Sequence, residues 1–280
     1  MRLSFFGGTI LFILFWLFGM LLFGLIGELL KGFSYLQLMV VQVGIWLFPA
    51  LLYARLFFDD FWNELRLKNV GKPIDHGRFI LFYFVSIPLV GYLVGINENI
   101  VFQESLATLE QWFREKEHQS RDTVLNVLSE MSSTDLLWVL LALAVFPAIC
   151  EEVFFRGVVL TNLLKRTSNI HLSVWLSAIL FSAVHLQFFG FFPRIIMGVV
   201  FGYAFVLSKS LWLPIILHFL NNAILVVAYY FSKNDAIVTN PTEIATIPIW
   251  LAVVSLVFSS ALLKYFLLGT SNKPKIKACD

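Results

Sequence analysis

An all-α protein crossing a bilayer about eight times is the fold this sequence predicts, and three observations predict it. Of the 280 residues, 59% are hydrophobic and 14% charged, against about 45–50% and about 25% in water-soluble domains. Thirty phenylalanines and eight tryptophans exceed what one water-facing core would bury, whereas lipid accepts such side chains on the outside of helices. Apolar stretches of near-spanning length recur near 7–30, 36–58, 79–97, 136–164, 172–189, 191–208, 211–231 and 247–268.

The first stretch reads as a retained span, because its apolar run is long and no small-residue cleavage site follows it. The fifth and sixth are parted by Gly190-Phe191-Phe192-Pro193. Two polar segments separate the others. Residues 59–78 are mixed in charge and contain the turn signal Gly71-Lys72-Pro73. Residues 98–135 set Phe102, Leu106, Leu109 and Trp112 at helical spacing opposite Glu104, Glu110 and Glu115. That pattern predicts an amphipathic helix lying on the membrane or capping the bundle. With no internal repeat, residues 1–280 read as one membrane domain.

Of the twenty Lys and Arg residues, thirteen fall on the side shared by both termini and the even-numbered connections, Arg2, Lys273, Lys275 and Lys277 among them. Six fall on the other side, including Lys233, and Arg156 lies inside a span. The excess predicts cytoplasmic N- and C-termini. A net charge of +2 without a large basic cluster argues against nucleic acid as a partner. Cys150 and Cys279 sit in settings too different to predict a disulfide framework.

Ionisable side chains in the apolar spans cost about 2.5–3.5 kcal/mol each and usually mark function. The fourth span carries Glu151, Glu152 and Arg156. Glu152 and Arg156 have the i,i+4 order that favours a helical ion pair. Glu151 points about 100° away and lacks that partner. Its desolvated carboxylate suits a general base. In the fifth span Phe181 and His185 share a face, and in the seventh His218 and Asn222 do. An asparagine amide donates to a developing oxyanion or fixes an imidazole tautomer. Pro147 is expected to kink the fourth helix just before the glutamates.

Plainer readings stand beside these. A Glu–Arg pair also serves as a structural lock, and a lone intramembrane histidine is as often an interhelical contact. Counting residues from the span ends also sets His218 about 10 Å deep and Glu151 and His185 nearer about 20 Å, which separates them.

Taken in order, Glu151-Glu152-x-x-x-Arg156, Phe181-x-x-x-His185 and His218-x-x-x-Asn222 resemble the motifs of the CAAX prenyl endopeptidase and bacteriocin-processing (CPBP, or Abi) intramembrane protease family. The resemblance covers about 136–231. It implies an intramembrane endopeptidase in which Glu151 activates water with help from His185, while His218 and Asn222 stabilise the oxyanion. Glu152 and Arg156 would shape the site, with Phe181 supporting. It implies no cofactor, a peptide or protein substrate, lipidated in some members, and contact with membrane lipids. Short loops and compact length point to a bacterial plasma membrane. Three alternatives stay open: a zinc-dependent version ligated by Glu151, His185 and His218, a proton-coupled transporter, and a non-catalytic adaptor.

Overall fold

The computed structural model describes residues 5–32, 34–132, 134–232 and 247–270. Both chain ends fall outside that set, as do Arg2, Lys233, Lys273, Lys275, Lys277 and Cys279, so the charge-based orientation rests on sequence. Among the described residues every regular element is helical: α1 (Phe5–Leu29), α2 (Ser34–Phe57), α3 (Pro73–Glu98), α4 (Ala107–Ser129), α5 (Leu136–Thr167), α6 (Ile170–Ala183), α7 (Phe191–Ser208), α8 (Trp212–Ser232) and α9 (Ile249–Thr270). Among the described residues, six helices are long and apolar enough to cross a membrane: α1, α2, α3, α5, α8 and the 188–208 stretch that contains α7. Each predicted apolar stretch is helical over most of its length, but α6 has 14 residues. At 1.5 Å per residue it spans about 21 Å, short of a bilayer core of about 30 Å.

Half of the apolar stretch in α5, and half of the 188–208 stretch, is buried, against 11% in α1. These helices therefore form the centre, and α1 presents Ile10, Leu14, Leu17, Leu21 and Leu25 outward. Trp46, Phe154, Phe155, Phe181 and Phe205 fill the main core. Shape matters here because lipid provides no hydrophobic drive for helices to associate. A Cβ at Gly44 would fall inside the Phe23 side chain, and one at Gly19 would meet the Gly44 carbonyl, so α1 and α2 cross backbone to backbone.

Two spans share a device. In α2 a π-helical turn, Val43–Leu47, precedes Phe48-Pro49, and in α5 another, Leu141–Val145, precedes Phe146-Pro147. Proline lacks an N–H and its ring crowds the carbonyl four residues back. The wider turn absorbs the conflict, with Phe48 N–H donating to the Val43 carbonyl and Phe146 N–H to that of Leu141. The distortion expected at Pro147 is thus a π turn set just ahead of the glutamates.

The amphipathic helix forms as α4, but of its predicted apolar stripe only Phe102 docks. Leu106, Leu109 and Trp112 are exposed. Phe113 packs on Phe188 with ring centroids 5.2 Å apart, and Phe102 meets the same ring at 4.9 Å. Farther along α4, Val127 and Leu128 are buried. Aromatic contact with the 188–190 turn therefore sets the docking face, and carries Glu117 into a half-buried place where its Oε2 has no hydrogen-bond partner. Burial pushes the Glu117 carboxyl above its ordinary range, against the pull of Arg194 and Arg121.

Two measurements check this packing. Gly44→Ala is expected to destabilise by about 1–3 kcal/mol, the usual cost of overpacking, read as a lower melting temperature in detergent. For Glu117, a raised folded pKa means the native state favours the protonated form, so stability is lost as pH rises through that pKa. Glu117→Gln should therefore melt higher than the parent at pH 7, and the difference should shrink toward pH 4.

Candidate active site

Glu151 and Glu152 follow the Pro147 turn in the middle of α5, where the helix is walled on all sides. Both are buried, and Arg156 one turn later is 1% exposed. Arg156 Nη1 donates to Glu152 Oε1 at 2.6 Å and Nη2 to the Gly198 carbonyl at 3.0 Å. A Cβ at Gly198 would sit 3.0 Å from that of Ala178, so the missing side chain lets α6 and α7 close together beside the guanidinium. The Phe181 and Phe201 rings lie 4.9 and 5.4 Å from the Arg156 guanidinium carbon. Cation–π contact of this kind offsets part of the cost of burying charge.

Glu152 serves a second helix. His218 Nδ1 lies 2.8 Å from Glu152 Oε1, and Phe201 stacks on the imidazole with centroids 5.4 Å apart. One carboxylate oxygen thus receives both Arg156 and His218, joining α5 to α8. The other, Oε2, is buried without a hydrogen-bond partner, as is Arg156 Nε.

Glu151 is placed differently. Its Oε2 stands 3.8 Å from His185 Nε2 and 3.9 Å from His218 Nε2. His185 Nδ1 is 2.7 Å from the Phe181 carbonyl. A carbonyl only accepts, so Nδ1 carries the proton and the neutral ring turns a bare Nε2 toward Glu151. Phe181 also packs against both imidazoles, with centroids 5.0 Å from His185 and 6.1 Å from His218. The His185 side chain is 23% exposed and that of Glu151 7%, so the centre opens on the His185 side.

One expectation is corrected here. His185 lies not inside a span but in the turn after α6, which ends at Ala183. Leu186 adopts a positive φ of 56° and closes that helix end. The turn is clamped from three directions. Ser182 Oγ donates to the Phe191 carbonyl at 2.8 Å, Asn97 Nδ2 to that of Phe188 at 3.0 Å, and Arg194 Nη1 to that of Gln187 at 3.4 Å. The predicted depth gap disappears as well, since His218 and Glu151 are within 3.9 Å. Counting from span ends failed because α5, at 32 residues, is longer than a bilayer core requires, so its end does not mark the membrane edge, and α6 is too short to supply a depth scale for His185.

Asn222 stands one turn beyond His218 on α8. Its Oδ1 accepts from Asn221 Nδ2 at 3.1 Å, and Tyr83 Oη lies 3.4 Å from Asn221 Oδ1. That chain occupies the Asn222 amide oxygen and links α8 to α3. The structure therefore gathers Glu151, Glu152, Arg156, Phe181, His185 and His218 by direct contact, while Asn222 is related to them only through its position one turn from His218 on α8.

Two neighbours were not read from sequence. Gln42 Nε2 lies 3.5 Å from Glu151 Oε1, and Trp46 stacks on His185 with centroids 6.4 Å apart. Gln42 had a signal, a polar amide within an apolar span, but a search for charged groups passes over it. Trp46 had none among so many aromatics. Among the described residues, no three His, Cys, Asp or Glu side chains are grouped to hold a metal ion.

Fold and cluster together define an integral membrane protein whose apolar helices enclose an acid–histidine centre. Residues 133–224 match the family model for Rce1-like proteins, type II CAAX prenyl endopeptidase Rce1-like. It is the CAAX protease and CPBP family, a family of proteases, that this match supports for the chain. No curated protein and no solved structure matches it.

The packing of the ion pair has a measurable consequence. Arg156→Met leaves Glu152 buried without its main counter-charge, and is expected to cost about 3–5 kcal/mol. Exchanging both members (Glu152→Gln with Arg156→Met) should cost clearly less, seen as partial recovery of the melting temperature in detergent.

Proposed function

We propose that the protein is an intramembrane endopeptidase that hydrolyses a peptide bond with a water activated by Glu151. The observation that carries this reading is the division of labour between adjacent carboxylates. Glu152 is taken up by Arg156 and His218, while Glu151 Oε2 faces two imidazole nitrogens without bonding either. A carboxylate oxygen and a bare Nε2 that stand 3.8 Å apart are both acceptors. A water donating one hydrogen to each bridges them and aims its lone pair outward.

In the reaction, the water oxygen attacks the scissile carbonyl carbon as Glu151 takes one proton. His185 holds the second hydrogen and fixes the direction of attack. The oxyanion is received by Asn222 Nδ2 and by a protonated His218, whose Nδ1–H remains on Glu152. Collapse of the tetrahedral intermediate breaks the C–N bond, and the proton on Glu151 passes to the departing amine. This chemistry runs without a metal. The substrate is a peptide or protein presented at the membrane, with a lipidated C-terminal segment as the form to test first. The excess of basic residues supports cytoplasmic termini, and we assign the protein to a bacterial plasma membrane.

Purified protein in nanodiscs, offered quenched peptides with and without a prenyl group, tests the proposal. Glu151→Gln should lower kcat by at least about 100-fold, the scale of general-base catalysis. Asn222→Ala should lower it by about 100- to 1,000-fold, the scale of a lost oxyanion donor. Activity should survive chelators. Cleavage unchanged in Glu151→Gln would overturn the mechanism, and loss of activity with stoichiometric zinc removal would move it to the zinc-dependent form.

A further inference from the structure

We infer that Gln42 of α2, outside the 133–224 segment that matches the family model, is a positioning residue of the reaction centre. The inference rests on the proteolytic reading above and adds a helix to the machinery. Its basis is how the Glu151 carboxylate is shared. Gln42 Nε2 stands at Oε1, 3.5 Å away, whereas both imidazoles stand at Oε2. The terminal torsion of a glutamate is soft and broad. A donor fixed on one oxygen sets that torsion and leaves the other aimed between His185 and His218. The amide orientation follows from its neighbour, because an ionised carboxylate only accepts and must therefore meet the NH2 end.

Three further observations argue against a merely structural contact. Gln42 Oε1 is buried with no hydrogen-bond partner, whereas a buried amide kept for packing normally has both ends satisfied. Gln42 directly precedes the π turn Val43–Leu47, and Trp46 within that turn stacks on His185. One short stretch of α2 therefore contacts both proposed water ligands, Glu151 and His185. The 3.5 Å separation is long for a hydrogen bond, as catalytic contacts often are before substrate closes the site.

The test compares the parent with Gln42→Leu and Gln42→Asn in the nanodisc cleavage assay, with melting temperature measured on the same samples. Gln42→Leu should lower kcat by about tenfold or more while KM stays within about twofold, because the lesion lies in orientation and not in substrate contact. Its melting temperature should hold or rise, since a half-satisfied polar group is removed. Gln42→Asn, which keeps the donor on a shorter arm, should fall between the two and serves if Gln42→Leu fails to fold. If the parent cleaves and both variants match it within twofold, or lose stability and activity together, Gln42 is structural and the inference fails alone. If the parent cleaves no offered peptide, the proteolytic reading fails and takes this inference with it.

Discussion

A carboxylate, a guanidinium and an imidazole share one oxygen in the middle of α5. Glu152 Oε1 takes Arg156 at 2.6 Å and His218 at 2.8 Å, and Arg156 reaches on to the Gly198 carbonyl. This knot ties α5 to α7 and α8 with all three side chains buried. Removing any strand of it strands a charge in apolar surroundings. It also settles the fate of the neighbouring residue. Once Glu152 has absorbed the available cation, Glu151 is left facing histidines, with the Gln42 amide at its back.

The rings around the knot belong to the same logic. Phe181 packs on the guanidinium and on both imidazoles, Phe201 on the guanidinium and on His218, and Trp46 on His185. Aromatic faces are apolar enough to exclude solvent and electron-rich enough to sit beside a cation. They hold the imidazoles at fixed tilt without offering them competing hydrogen bonds. A chain this rich in phenylalanine therefore uses the residue twice, outward against lipid and inward as walls.

Much of the centre was legible because the bilayer makes ionisable residues expensive. Glu151, Glu152, Arg156, His185 and His218 stood out against apolar runs for that reason, and their spacing gave the shared faces of Glu152–Arg156 and Phe181–His185. Gln42 escaped because it carries no charge, although the same expense applies to a buried amide. The placement of His185 was misjudged by the nature of a hydropathy window, which averages across a turn as apolar as the helix before it. Leu186, Phe188 and Phe189 kept the signal high where the backbone had already turned. The docking face of α4 was hidden for a related reason, since helical spacing identifies an apolar stripe without saying whether protein or membrane receives it.

The π turn ahead of the glutamates has a consequence for how this helix tolerates change in length. Such a turn holds one residue more than the regular helix would at that point. Dropping a single residue from Leu141–Val145 would restore ordinary winding and leave both halves of α5 intact as helices. Four residues wound regularly turn through about the same angle as five in the wide turn, so the two halves would keep their mutual phase. A residue lost between Val139 and Glu151 outside that turn, with Val139 still anchored in its cluster with Val127 and Val226, would instead rotate the downstream half by about 100° and present the wrong acid to the histidines. The spare residue thus makes room for the Pro147 ring without disturbing the phase of α5, and the identity of the working carboxylate depends on where along the helix a residue is lost.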